Sequence, residues 1–138
     1  WQQIENKANC TVWNAYPQED LTATWTGKCL NGKAEGYGEK VWRFLRYGKW
    51  EKARYKGTMR DGKDNGLGVL VWANGDRYVG SWQNGKQEGH GIMEFAAGNK
   101  CEGSWLVGKL LGSGEGWHQG EGKVMKCYVD SNKISFSD

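Results

Sequence analysis

Basic and aromatic residues crowd one stretch of this 138-residue chain. Between Lys40 and Lys63 lie Arg43, Arg46, Lys49, Lys52, Arg54, Lys56 and Arg60, opposed only by Glu51 and Asp61. The stretch carries a local charge of +7, while the rest of the chain sums to −4. At its centre, Arg43-Phe44-Leu45-Arg46-Tyr47-Gly48-Lys49-Trp50 interleaves cationic groups with large rings. Guanidinium forks grip phosphate or carboxylate through paired hydrogen bonds, and neighbouring rings add apolar anchorage. The chemistry is recognition of an anionic or aromatic-seeking surface. Arg43, Phe44, Arg46, Tyr47, Lys49 and Trp50 are therefore the candidate partner-binding residues. The plainer alternative is a long hairpin arm with solvated charges, its rings covering the end of a sheet.

Reactive chemistry finds no comparable cluster. His90 and His118 have no nucleophile or orienting acid fixed beside them by a motif, and His90, between Gly89 and Gly91, is expected on an exposed face. Carboxylates are scattered, with no paired arrangement of the glycosidase kind. Gly120-Glu121-Gly122 lacks the following helix that a phosphate loop requires. The expectation is a non-enzymatic chain without cofactor. Cys10, Cys29, Cys101 and Cys127 form no C-x-x-C pair and no zinc spacing with the histidines, so disulfides are favoured over metal. That points to an oxidising compartment, secreted or periplasmic. Nucleic acid is not an expected partner, because the overall charge of +3 is modest and no nucleic-acid motif is present. No apolar stretch reaches the roughly 20 residues that span a bilayer.

The elements that position these residues are set by glycine. Gly57, Gly80 and Gly103 recur every 23 residues, as do Gly62, Gly85 and Gly108, Gly66, Gly89 and Gly112, and Gly68, Gly91 and Gly114. A period in the twenties means a stacked array, each unit burying its face on its neighbours. Tyr78, Gly80 and Trp82 alternate along one strand, and Gly89, Gly91, Met93 and Phe95 along the next. Asn84-Gly85 between them is hairpin-turn chemistry. Each unit therefore predicts a β-hairpin, and successive hairpins predict an all-β, elongated, curved, single antiparallel sheet. Glycine weakens a strand, so the in-strand glycines need a reason. The reason expected is that tyrosine and tryptophan rings lie over the space each missing side chain leaves. Trp42, Tyr55, Trp72, Tyr78, Trp82, Phe95 and Trp105 would then form an aromatic face, either a partner surface or simply the core. The spacing from Gly27 to Gly57 is 30, so seven extra residues fall in or near the basic aromatic stretch.

Tyr-x-Gly-x-Trp, Asn-Gly-Lys and Gly-x-Gly followed by an aromatic, best seen in Tyr78–Phe95, closely resemble the MORN repeat. The likeness runs from Trp25 to Trp117. It divides the chain into an N-terminal cap at 1–24, repeats at 25–54 (with the insertion), 55–77, 78–100 and 101–117, and a degenerate cap and tail at 118–138. Cys10-Thr11-Val12-Trp13-Asn14 and Trp25-Thr26-Gly27-Lys28-Cys29 are similar to secreted bacterial members. The resemblance implies scaffolding or protein binding, with anionic phospholipid or glycolipid head groups as the alternative partner and self-association through the aromatic face possible. Met59 and Cys29 depart from the pattern where tryptophan belongs, and Cys101 where tyrosine belongs.

The cysteine pairing follows from the array. Cys10–Cys29 and Cys101–Cys127 each join residues near in sequence and tie an irregular end to a regular unit. Either other pairing would cross the array's length. Equivalent positions one unit apart lie two strands, about 9–10 Å, from each other, which is beyond disulfide reach. Cys127 is therefore expected nearer Cys101 than a regular repeat would place it.

Overall fold

Each hairpin turns on a pair of residues in left-handed backbone. Asn84 and Gly85 take φ of 50° and 86°, and Asp61 and Gly62 take 51° and 78°. Asparagine, aspartate and glycine tolerate this region, and the resulting turn matches the twist of the flanking strands. In the computed structural model, which describes residues 1–137, these turns join fourteen strands and no helix. The strands are β1 (Gln2–Gln3), β2 (Thr11–Val12), β3 (Thr22–Trp25), β4 (Lys28–Leu30), β5 (Lys33–Arg46), β6 (Lys49–Arg60) and β7 (Lys63–Val71). They continue with β8 (Arg77–Gln83), β9 (Lys86–Glu94), β10 (Lys100–Leu106), β11 (Lys109–Leu110), β12 (Gly114–Trp117), β13 (Val124–Asp130) and β14 (Lys133–Ser137).

From β5 to β10 each strand pairs antiparallel with the next in sequence. All fourteen strands form one open sheet, as the repeat predicts. The sheet is mixed rather than wholly antiparallel, because β2 runs parallel to the start of β5 and Ile4 bridges Ala23 in parallel. The repeat pattern says nothing of this N-terminal strand, which returns across the array instead of extending it.

The register puts Gly38, Gly57, Gly68, Gly80, Gly91 and Gly103 opposite one another in a continuous row across six strands. Rings fill the trough this leaves. A Cβ on Gly68 would stand 2.5 Å from the Tyr55 ring, and one on Gly91 would collide with the Tyr78 ring. The Tyr55 hydroxyl donates to the Thr58 carbonyl at 2.7 Å and that of Tyr78 to Ser81 at 3.0 Å, while the Trp25 indole N–H donates to Lys28 at 2.9 Å. Tyr55, Trp82, Tyr78 and Trp105 meet edge to face at 5.2–5.4 Å between centroids. One side of a single sheet thus becomes a core, with Tyr55, Tyr78, Trp82 and Trp105 all buried. Units are also stitched at their turns, where Gly62, Gly85 and Gly108 amides donate to Ala34, Asp64 and Gln87 carbonyls of the preceding unit.

Both expected disulfides form, and no cysteine is free among the described residues. Cys127 is nearer Cys101 than a regular repeat would place it, as expected, but not by sitting on a closer strand. Cys127 does lie two strands away, on β13 beyond β12, yet the two Cα atoms are only 5.9 Å apart. The sheet curls sharply there, and β12 offers glycine beneath the bridge. A Cβ on Gly116 would stand 2.6 Å from Cys127 Cβ, and one on Gly114 would stand 3.1 Å from Cys101 Sγ. The bridge passes over a strand with no side chains in its path.

Candidate binding site

Cross-strand partners share a face, so the register sorts the insertion. β5 and β6 continue past the repeats as a two-stranded arm in which Arg43 opposes Lys52, Phe44 opposes Glu51, Leu45 opposes Trp50 and Arg46 opposes Lys49. The candidate residues therefore divide between two faces rather than forming one cluster. Phe44, Arg46, Lys49 and Glu51 share the face that carries Trp42. Arg43, Leu45, Trp50, Lys52 and Arg54 share the other. At the tip, Tyr47 and Gly48 close the arm at φ 50° and 76°. The Tyr47 ring is 97% exposed in a position where the neighbouring turns use Asn or Asp. A bulky residue in left-handed backbone costs about 1–2 kcal/mol, and this ring recovers none of it through burial.

The two faces differ in charge. On the Trp42 side the Arg46 guanidinium forks onto Glu51, with both nitrogen–oxygen contacts at 2.9 Å. On the opposite side Lys52 and Arg54 are exposed and Arg43 is half-buried, flanking Trp50 (64% exposed) and Leu45. No carboxylate stands opposite them on that stretch of the arm.

The Trp42 face overhangs a groove of about 470 Å³. Phe44, Arg46, Trp42, Leu70 and Trp72 form its sheet side, and Lys40 and Asp64 its floor. Lys40 donates to Asp64 Oδ1 at 2.6 Å, with side chains only 5% and 10% exposed. The ammonium also lies 5.2 Å from the Trp42 ring centre and 5.3 Å from that of Tyr55. Burial, aided by the Asp64 charge, holds the Tyr55 hydroxyl far above the usual tyrosine range, and burial pushes Tyr78 up to about 12. Both hydroxyls thus remain neutral donors to their backbone carbonyls.

The opposite wall comes from the N-terminal segment. Thr11 and Trp13 amides donate to the Gly32 and Gly62 carbonyls, which steers the chain along the turns of successive units. Asn14 then bends it, accepting from the Tyr16 amide at 2.9 Å, and residues Trp13, Tyr16, Gln18 and Leu21 face the sheet across the groove. Curvature brings Asn132, from the β13–β14 turn, to the same cavity.

Of the expected aromatic face, Tyr55, Tyr78, Trp82 and Trp105 are core, while Trp42, Trp72 and Phe95 are partly buried against it. Trp42 and Trp72 open to the groove, whereas Phe95 does not line it. The sequence reading missed Asp64, Trp13, Tyr16 and Asn132. Asp64 stands where the other units have Ala34, Gln87 and Leu110, so the repeat carries no signal for it. His90 lies on the other face of the sheet, 2.7 Å from Glu102, with most of its ring exposed. Among the described residues no group of three or more His, Cys, Asp or Glu is placed to hold a metal ion.

The family model of the MORN repeat matches residues 30–43, 55–77 and 78–100. Over those segments the chain is similar to the MORN repeat. The matched segments stop at Arg43 and resume at Tyr55, so what lies outside the repeat between them is the arm. Comparison with curated proteins finds no match. MORN repeats generally serve as protein- or lipid-binding modules, and as a class are not typically catalytic. The geometry accords with binding: a rigid sheet, a projecting arm and an open groove.

Proposed function

We propose that this MORN-repeat chain is a non-enzymatic protein-binding or scaffold module of a secreted or periplasmic protein, and that its partner docks on the outer face of the arm. The observation that carries the reading is the division of the insertion. On the outer face the Arg43–Lys52 pair adjoins the exposed Trp50–Leu45 pair, Arg54 follows one same-face position further from the tip, and Tyr47 is presented at the tip, whereas Arg46 is already neutralised by Glu51 on the other face. Trp, Tyr and Arg dominate interface energies when a partner desolvates them, and groups on a projecting loop of a rigid scaffold are well placed to do so. Two disulfides suit an oxidising compartment.

The test is capture from the native envelope fraction with wild type and with Tyr47→Ala/Trp50→Ala. Both rings are exposed, so the variant should keep its stability while losing the captured partner at least tenfold. Undiminished capture by a folded variant would refute the assignment. The runner-up partner is an anionic phospholipid or glycolipid surface, favoured by the same uncompensated cations. Attraction of that kind collapses as salt shortens the screening length, so binding to anionic vesicles that vanishes near 0.5 M salt, without a protein captured, would select it.

A further inference from the structure

We infer that the groove between the arm and the N-terminal segment is a second binding site, and that its ligand is a neutral saccharide. Rings approach the cavity from two sides: Trp42 and Trp72 from the sheet, Trp13 and Tyr16 from the segment opposite. A ligand entering it therefore meets aromatic groups on both sides, which favours a body with apolar faces. The volume of about 470 Å³ is of the size that encloses small ligands.

Charge narrows the class further. Lys40 and Asp64 cancel at the floor, and Arg46 is occupied by Glu51. Of the two further charges in the lining, the Lys63 ammonium rests 5.3 Å from the Trp13 ring centre, while Asp76 accepts from the Ala96 amide at 2.8 Å and the Asn74 amide at 3.1 Å. The charges that line the cavity therefore balance in sign, and neither an anion nor a cation meets an excess of the opposite charge there, without which burial of a charge is costly. The floor is nevertheless polar. Lys40 uses Asp64 Oδ1 alone, and no buried side-chain oxygen lacks a partner among the described residues, so Oδ2 opens to the groove as an acceptor. It calls for a neutral donor such as a hydroxyl. Asn132 and Gln18 add amides that both donate and accept, matching the dual character of hydroxyl groups. An extended peptide satisfies its backbone best at a strand edge, whereas this groove lies on the face of the sheet. Rings for the C–H faces and a carboxylate and amides for the hydroxyls together describe a sugar.

The experiment probes the full chain with an array of neutral oligosaccharides, followed by calorimetry on the best binder with Tyr16→Ala, Trp72→Ala and Trp50→Ala. Tyr16 is 77% exposed, so its replacement leaves the fold intact and keeps the test decisive. The expected result is a neutral glycan whose affinity falls at least tenfold in Tyr16→Ala and Trp72→Ala, is unchanged in Trp50→Ala, and is insensitive to salt. No neutral glycan bound, or one bound equally by the Tyr16 and Trp72 variants, overturns the inference. So does a groove that takes only charged glycans or peptides. Because the arm is tested separately through Tyr47 and Trp50, these outcomes leave the protein-binding reading to stand or fall by itself.

Discussion

Adding one methyl group at Gly68 tests the packing on which this fold depends. Its backbone is ordinary strand, so alanine brings no conformational strain, and reduced freedom of the unfolded chain would by itself stabilise by about 0.4–1 kcal/mol. Against that, the new Cβ would lie 2.5 Å from Tyr55 Cε1 and from its hydroxyl oxygen, and 2.6 Å from Cζ. Carbon atoms prefer about 3.5–4.0 Å, so the overlap is about 1 Å with several ring atoms at once. The ring has nowhere to retreat. Tyr55 is fully buried, its hydroxyl is held by the Thr58 carbonyl at 2.7 Å and its edge meets Trp82 at 5.4 Å. Overpacking a tight core costs about 1–3 kcal/mol, and this site belongs at the upper end, for a net loss of about 2 kcal/mol. Denaturant unfolding at constant slope measures it, with Leu67→Ala, 72% exposed at the preceding residue, as a control expected within about 0.5 kcal/mol. The decisive measurement is the double-mutant cycle. In a Tyr55→Ala background the methyl group has room, and Gly68→Ala should cost nothing or stabilise slightly. A neutral Gly68→Ala in the wild-type background, or one equally costly without the ring, would refute ring-over-glycine packing.

Asp64→Asn should destabilise by about 3–5 kcal/mol, since it strands the Lys40 ammonium in a buried site, while replacing both partners by Lys40→Met/Asp64→Leu should cost little; unfolding of the two variants distinguishes the cases. Reducing the disulfides, or replacing Cys10 and Cys29 by serine, should lower stability by about 3 kcal/mol per bridge on loop-entropy arithmetic, with peptide mapping under non-reducing conditions recovering Cys10–Cys29 and Cys101–Cys127. Stability should fall in alkali. Tyr55 and Tyr78 bind their protons more tightly when folded, so their contribution is complete below the ordinary tyrosine value near 10 and is lost as pH climbs through about 12 for Tyr78. Unfolding followed between pH 8 and 12 checks the sign, and stability that rose over this range would contradict it.

The all-β array was legible in the sequence because its causes are local and repeated. A strand alternates with period two, a left-handed turn needs glycine or asparagine, and a ring needs a neighbouring gap. All of these recur every 23 residues, so Gly80, Trp82 and Asn84-Gly85 announce their roles before any coordinates are known. The disulfide partners were readable too, since linear order along an array limits which cysteines can meet. The geometry that lets Cys101 reach Cys127 was not, because it depends on how sharply the sheet curls over Gly114 and Gly116. The composition of the arm was equally plain, but its meaning was not. Only the pairing register, with Leu45 against Trp50 and Phe44 against Glu51, decides which cations are neutralised and which remain exposed. The groove was decided wholly by tertiary structure. Lys40 meets Asp64 across an intervening strand, Trp13 and Tyr16 arrive because an irregular segment follows the turn carbonyls of Gly32 and Gly62, and Asn132 arrives by curvature. None of these contacts is periodic. A repeat determines what each unit is, whereas a site formed by its irregular ends depends on where the folded sheet brings them.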